Sequence, residues 1–223
     1  MTRRSSLEAV LAPQLQGLDW VEPLDATAWA RLEKLAALWL RYGRVMNLTA
    51  AKSAEELAPH VIEALMVVAL ARRVGLGAGS RWLDVGSGAG LPGLVIAALL
   101  DVELTMIEPR ERRASFLEVA LAQIDRPARV LRGHLDENWR PLPGTSVDGA
   151  AVAPNSYSAV SARAVFPPDR WLEVAPHWVT HEGWVFAHFS AQFKQPEEIK
   201  YKRRLFFDQW SVCLISGSEF GNK

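Results

Sequence analysis

Eleven residues constrain this chain more than any others: Leu83-Asp84-Val85-Gly86-Ser87-Gly88-Ala89-Gly90-Leu91-Pro92-Gly93. Apolar residues run into an acid, then alternating glycines, then a proline ahead of an apolar stretch. That order predicts a strand, a tight turn and a helix start. Glycine permits the sharp backbone turn. Proline suits the first helical turn, where a backbone N–H has no partner to lose. The open N–H groups there favour a negative group above the strand end. Val102-Glu103-Leu104-Thr105-Met106-Ile107-Glu108 follows at the spacing of a second strand, and it ends in a carboxylate. An acid in that place suits two ribose hydroxyls. Together the two segments point to a cofactor that contains adenosine.

Two cofactor classes compete for the turn. Gly88-x-Gly90-x-x-Gly93 satisfies the dinucleotide pattern, which keeps an NAD-type oxidoreductase open. Asp84 favours S-adenosylmethionine instead. A carboxylate before the first glycine repels a pyrophosphate but suits an ammonium and a sulfonium. The alternation at Gly86, Gly88 and Gly90 also predicts a wider turn than a phosphate needs. Asp84, Gly86, Ser87, Gly88, Gly90 and Leu91 are therefore cofactor-binding candidates.

A chain of 223 residues accommodates one α/β domain with an extension. The lone Cys213 excludes an internal disulfide and suits a reducing compartment, here the cytoplasm. No window has the apolar length of a membrane span, so no membrane partner is expected. A net charge of zero argues against nucleic-acid binding driven by overall charge and leaves only a local patch. The nine tryptophans are read as core and helix-packing residues.

Residues 1–75 read as a helical extension. Asp25 or Thr27 caps a segment with Leu32, Leu35, Leu38, Trp39 and Tyr42 on one face. Ser53 to Glu56 has capping-box spacing, ahead of an apolar stripe at Val61, Ile62, Leu65, Val68 and Ala69. The glycines at 75, 77 and 79 break that pattern. From 76 to 223 the reading is a Rossmann-like α/β domain. Strands are expected at 81–85, 102–108, 128–132, 157–162 and 183–189, with apolar runs at 205–207 and 211–215. Helices are expected near 92–100 and 111–123 and after Pro167-Pro168, and a long loop at 134–156. Such alternation implies a mostly parallel sheet with helices on both faces and its ligand at the carboxyl ends of the strands.

Several candidates converge there. Gly86 and Gly88 are placed at the cofactor's amino-acid end, and Glu108 at the ribose. Leu135 and Asp136 are placed over the adenine. Arg163, after the fourth strand, is suited to a carboxylate or phosphate through its planar fork. No nucleophile–base triad is visible, so positioning is the expected mechanism, with Arg163 as its candidate. His177 and His181 have metal-compatible spacing on an expected helix, but no third ligand accompanies them, and no metal is expected. Lys200-Tyr-Lys-Arg-Arg204 reads as a solvated basic edge.

These residues resemble a known family, the bacterial small-subunit ribosomal RNA methyltransferase G, or glucose-inhibited division protein B. The resemblance spans roughly 38–190. It is carried by Tyr42-Gly-Arg-Val-Met-Asn47-Leu48-Thr49, by His60-Val-Ile-Glu63-Ala-Leu65, and above all by Asp84 through Leu91-Pro92-Gly93. Glu108-Pro-Arg-Glu-Arg-Arg-Ala-Ser-Phe116-Leu117 and Ser161-Ala-Arg163-Ala-Val165 complete it. It implies a class I S-adenosylmethionine-dependent methyltransferase fold. It also implies cofactor contacts at Gly86, Leu91, Leu135, Asp136 and Arg163, and methyl transfer to guanine N7 in the 530 loop of 16S ribosomal RNA. The implied partner is the small ribosomal subunit, met by a monomer. N7 carries a lone pair and no proton, so no general base is required. The chain departs from the family in several places. Phe189-Ser190 stands where a Lys-Gly pair is usual, Glu63 and Ser158 where Asp is usual, the 137–156 loop is long, and the C-terminal end lacks a basic finish. A small-molecule methyltransferase, or a diverged cofactor-binding paralogue without activity on ribosomal RNA, stays open on those grounds.

Overall fold

The computed structural model describes residues 5–143, 152–190, 201–208 and 210–220. Three helices come first: α1 (Leu7–Leu15), α2 (Ala26–Tyr42) and α3 (Ala54–Arg73). Each begins at a side-chain cap, which occupies an N–H that the helix itself leaves open. Ser6 accepts from the Ala9 N–H at 3.1 Å, Asp25 from Ala28 at 2.7 Å and Ser53 from Glu56 at 3.3 Å. Glu56 reaches back to the N–H of Lys52 rather than Ser53, a capping box displaced by one residue. α2 buries Leu32, Leu35, Ala36 and Trp39, the helical stripe expected from its spacing. α3 is buried on almost every side from Leu57 to Ala71, because the sheet covers one flank and α1, α2 and the helix Gly93–Leu99 the others.

The remaining elements are β1 (Arg81–Val85), α4 (Gly93–Leu99), β2 (Glu103–Ile107), α5 (Glu111–Gln123), β3 (Arg129–Leu131), β4 (Gly133–Leu135) and β5 (Trp139–Pro141). They continue with β6 (Tyr157–Ala162), α6 (Pro168–Val174), a 3₁₀ turn (Ala175–His177), β7 (Val179–Ser190), β8 (Arg203–Phe207) and β9 (Trp210–Ser216). Seven strands form one sheet in the order β3-β2-β1-β6-β7-β9-β8. The first five are parallel, and β9 and β8 join antiparallel.

Side chains alternate across the sheet. On β1, Trp82 packs into a core shared with α1 to α5, while Leu83 and Val85 face a second core with Trp171, Leu172 and Trp178. The first core runs without a break from Leu7 and Leu11 through Met106 to Val212 and Leu214, so the N-terminal helices and the sheet share it. Three arginines reinforce the join. Arg31, Arg72 and Arg126 donate to the carbonyls of Ala97 to Leu100 at the C-terminal end of α4, at 2.6–3.3 Å. Those carbonyls have no partner within the helix, and the cations suit its negative end.

Two local expectations are corrected. The stretch expected as a loop from 134 contains the β4–β5 hairpin, paired Gly133↔Pro141 to Leu135↔Trp139. The Trp139 ring lies 2.3 Å from where a Cβ on Gly133 would stand, so only glycine lets the indole pack there. β7 begins at Val179, not at 183. His177 consequently ends the 3₁₀ turn and His181 lies in a strand, so the two do not share a helix face. The residues 144–151 of the long loop, the charged segment 191–200 that includes Lys200, and the last three residues lie outside the described ones.

Candidate active site

β1 leads into the turn at its carboxyl end, where Gly86, Gly88 and Gly90 take φ of 65°, 56° and 82°. Gly86 also meets Val165: a Cβ there would stand 2.2 Å from a Val165 methyl. Ser87 donates its N–H to the Ile107 carbonyl at 2.9 Å, so the turn begins by extending the pairing with β2. A cis Leu91–Pro92 bond then leads into α4, and Leu91 is buried.

Glu108 stands beside this turn at the end of β2 and is 3% exposed. Its Oε2 accepts from the Gly88 N–H at 2.9 Å and its Oε1 from the Arg110 N–H at 2.8 Å. Two backbone donors thus fix the carboxylate. Each oxygen keeps a lone pair, so the group can still accept from hydroxyls. The turn is also held from the helical side. Trp39, fully buried on α2, donates its indole N–H to the Ala89 carbonyl at 2.7 Å. Arg113 on α5 donates to the Asn47 carbonyl, and its Nη1 lies 3.7 Å from a Cβ position on Gly88. Sequence reading singled out neither contact. The indole at 39 read as one more core side chain, and Arg113 stood only as a member of the block that carries the family resemblance.

Asp84 does not face the open end of the strands. It is 1% exposed and points to the helix side of the sheet. Ser161 donates to its Oδ1 at 2.7 Å, and Trp82 in turn donates to the Ser161 hydroxyl at 3.0 Å. Its Oδ2 is buried without a hydrogen bond and lies 2.6 Å from a Cβ position on Gly93 at the start of α4. Burial pushes the Asp84 pKa up to about 6, against the opposing pull of Ser87, Ser161, His188 and the Gly93 N–H.

Leu135 and Asp136 sit on the hairpin next to β2. Leu135 is buried in the second core. The Asp136 carboxylate is bound by Arg140 at 2.9 and 2.5 Å and by the Asn138 N–H at 2.9 Å. Arg140 first, and then Asn138, bring its pKa down to about 2. Its carbonyl accepts from the Trp178 indole at 2.6 Å.

Arg163 follows β6, as expected, but its guanidinium turns toward α3. Nε and Nη2 donate to Oε2 of Glu63 at 2.8 and 2.7 Å, and Nη2 lies 2.9 Å from Nδ1 of His60. A guanidinium only donates, so His60 accepts there and is neutral. Burial, and after it the Arg163 charge, lower the His60 pKa. Phe189, where the family usually has lysine, is 2% exposed and stacks on Tyr201 with ring centres 5.9 Å apart.

The structure therefore brings Gly86, Ser87, Gly88, Gly90, Leu91 and Glu108 to one strand edge, with the Leu135–Asp136 hairpin beside them. It draws the charged ends of Asp84, Asp136 and Arg163 into partnerships within the chain. The turn and Glu108 fit a ligand with an adenosine and a cationic amino-acid end: backbone lies open where a Cβ is absent, and a fixed carboxylate stands beside it. No described helix is long and apolar enough to cross a membrane. Among the described residues, no cluster of three His, Cys, Asp or Glu is arranged to hold a metal.

Comparison with known proteins agrees with this arrangement. The family model for rRNA small subunit methyltransferase G matches residues 29–218. The ribosomal RNA small subunit methyltransferase G of Anaeromyxobacter dehalogenans strain 2CP-1 is 32% identical over 187 residues, covering 82% of this chain and 78% of the relative. The protein of that name from Rhizorhabdus wittichii is 32% identical over 167 residues, covering 74% and 70%. That of Salinispora tropica is 46% identical over a shorter stretch of 109 residues, covering 48% and 41%. Among solved structures, a mutant of MtNAS in complex with S-adenosylmethionine superposes with a TM-score of 0.54 at 12% identity, covering 86% of this chain and 77% of that one, a likeness of fold. The fold is therefore shared beyond the close relatives, while the sequence itself is narrower in its affiliation: this chain belongs to the rRNA small subunit methyltransferase G family.

Proposed function

We propose that this protein transfers a methyl group from S-adenosylmethionine to N7 of a guanine in the 530 loop of 16S ribosomal RNA. One observation carries the reading for a chain of this family: the glycine turn is bonded to the strand-end carboxylate, Gly88 N–H to Glu108 at 2.9 Å. On this reading Gly86, Ser87, Gly88, Gly90 and Leu91 surround the amino-acid end of the cofactor. Glu108 accepts from the ribose, and Leu135 with the Asp136 backbone flanks the adenine. Asp84 supports from beneath by bracing the start of α4. Arg163 keeps Nη1 for an anionic group, its other donors being engaged by Glu63 and His60.

When bound, S-adenosylmethionine supplies an electrophilic methyl group on a sulfonium. Guanine N7 carries a lone pair and no proton, so the residues of the chain have no proton to remove. Their work is to bind, to orient and to shield. Held geometry of this kind is the larger part of catalysis for such a reaction. The reading takes the protein as a monomer working in the cytoplasm on the small ribosomal subunit.

The test is incubation with radiolabelled S-adenosylmethionine and small subunits that lack the modification, followed by mapping of the methyl group. Label at guanine N7 in the 530 loop is expected. Label in a small-molecule extract but not in RNA would replace the substrate. Calorimetric binding of NADH without any response to S-adenosylhomocysteine would replace the cofactor.

A further inference from the structure

Glu63, His188 and Arg163 form a cluster of charged and titratable groups, of which the proposed function uses only Arg163. Glu63 on α3 is 2% exposed, yet both of its oxygens are occupied. Oε2 takes the Arg163 fork at 2.7–2.8 Å, and Oε1 takes Nδ1 of His188, from β7, at 2.8 Å. Burial alone would raise the Glu63 pKa; the bond and charge of His188 and those of Arg163 outweigh it and bring it to about 2. An ionised carboxylate only accepts, so Nδ1 of His188 carries the hydrogen. The His188 side chain is 5% exposed.

The other end of this chain of contacts reaches the turn. Arg163 is followed by Ala164, held at a φ of 57°, an unusual conformation for a residue with a Cβ. Val165 comes next and packs directly on the backbone of Gly86. An unbroken line of contact thus runs from β7 through α3 to the loop after β6, and ends on the first glycine of the turn.

We propose that Glu63 and His188 are positioning residues for the cofactor: by clamping Arg163 they hold Ala164 and Val165 against Gly86, and so shape one wall of the crevice. The proposal rests on the reading that this crevice takes S-adenosylmethionine. Neither residue touches the cofactor in this scheme. His188 donates one hydrogen bond, which keeps the Glu63 carboxylate turned toward the Arg163 fork. Small displacements of a supporting wall are sufficient to weaken a site that works by placement.

Three full-length variants test it: His188→Leu, His188→Asn and Glu63→Gln. Asparagine carries an N–H near the position of Nδ1 and leucine carries none, so a role through that one donor predicts rescue by Asn and not by Leu. The first readout needs no cofactor. Amide hydrogen exchange at Ser87 and Gly88, whose N–H groups donate to the Ile107 carbonyl and to Glu108, should quicken about tenfold or more in ligand-free His188→Leu and Glu63→Gln and return to near the wild-type rate in His188→Asn, as loss of local protection reports local opening. The second readout is calorimetric affinity for S-adenosylhomocysteine, expected to fall about tenfold in the first two variants and to recover in the third. Unchanged exchange at Ser87 and Gly88 in His188→Leu would overturn the proposal, as would an asparagine variant as impaired as the leucine one. Wild-type protein that fails to bind S-adenosylhomocysteine would overturn the cofactor reading instead, and the exchange rates would still decide whether the clamp exists.

Discussion

Gly88 donates its backbone N–H to Oε2 of Glu108 at 2.9 Å, which makes the turn after β1 and the end of β2 a single hydrogen-bonded unit. Glu108→Ala removes the acceptor for two backbone donors, Gly88 and Arg110. A hydrogen bond to a charged group contributes about 1.5–3 kcal/mol. The expected outcome is a lower melting temperature together with S-adenosylhomocysteine affinity weakened at least about tenfold, the equivalent of ~1.4 kcal/mol. A variant with wild-type affinity would remove Glu108 from the site.

Gly86→Ala should be far worse than Gly79→Ala. Both glycines have positive φ, 65° and 80°, but a Cβ at Gly86 meets a Val165 methyl at 2.2 Å while one at Gly79 meets nothing within 4 Å. The backbone conformation alone costs about 1–2 kcal/mol for a residue with a Cβ. Gly79→Ala should lose only that in urea denaturation and bind S-adenosylhomocysteine normally. Gly86→Ala should lose more stability and most of the binding.

Asp84 sets a pH dependence whose sign is defined. Its folded pKa, raised by burial to about 6, lies above the ordinary 3.8. Between those values the folded state holds the proton more tightly, so stability from this group rises as pH falls through 6 toward 4. Asp84→Asn cannot titrate. The wild-type unfolding free energy minus that of the variant should therefore increase from pH 8 to pH 5, by about 1.4 kcal/mol. Urea titrations at four pH values measure it, and a slope of the opposite sign would exclude a raised Asp84.

Arg163→Lys keeps a positive charge but not the fork that places Nε and Nη2 on one oxygen of Glu63. We expect a loss of about 1.5–3 kcal/mol in unfolding free energy. Arg163→Ala leaves Glu63 ionised and buried, which should cost more, about 3–5 kcal/mol. A lysine variant that melts with the wild type would mean that the geometry of the fork is immaterial.

Trp39→Phe retains the packing of α2 but removes the donor to the Ala89 carbonyl. An unsatisfied buried acceptor costs about 1–3 kcal/mol. Reduced S-adenosylhomocysteine affinity alongside the lower melting temperature would show that α2 holds the glycine turn in shape.

Much of this architecture was legible in the chain because its signals are local. β1, β2 and β6 are short apolar runs bounded by turn residues, and Asp25 and Ser53 announce their helices within four residues. Glu108 was legible for the same reason, as an acid at a strand end. The hairpin escaped because its strands are three residues long, with too few positions to show alternation. The partners of the charged site residues escaped for a different reason. Arg163 and Glu63 are 100 residues apart and Trp39 and Ala89 are 50 apart, and no periodicity links such pairs. A strand-end arginine reads the same whether it faces a ligand or turns back to a helix. Only the placement of α3 beside the sheet decides between them.

That placement also orders the folding of the chain in time. α3 is buried from Leu57 to Ala71, and Val212 and Leu214 of β9 belong to the same core. During synthesis the helix emerges early, and its last covering strand emerges after nearly everything else. Until then an apolar surface stands open on the nascent protein, and contacts between distant segments form slowly. Loss of β9 would therefore bare the sheet-facing flank of α3, and a truncated product should be captured by chaperones or aggregate through α3 rather than fold as a shorter sheet.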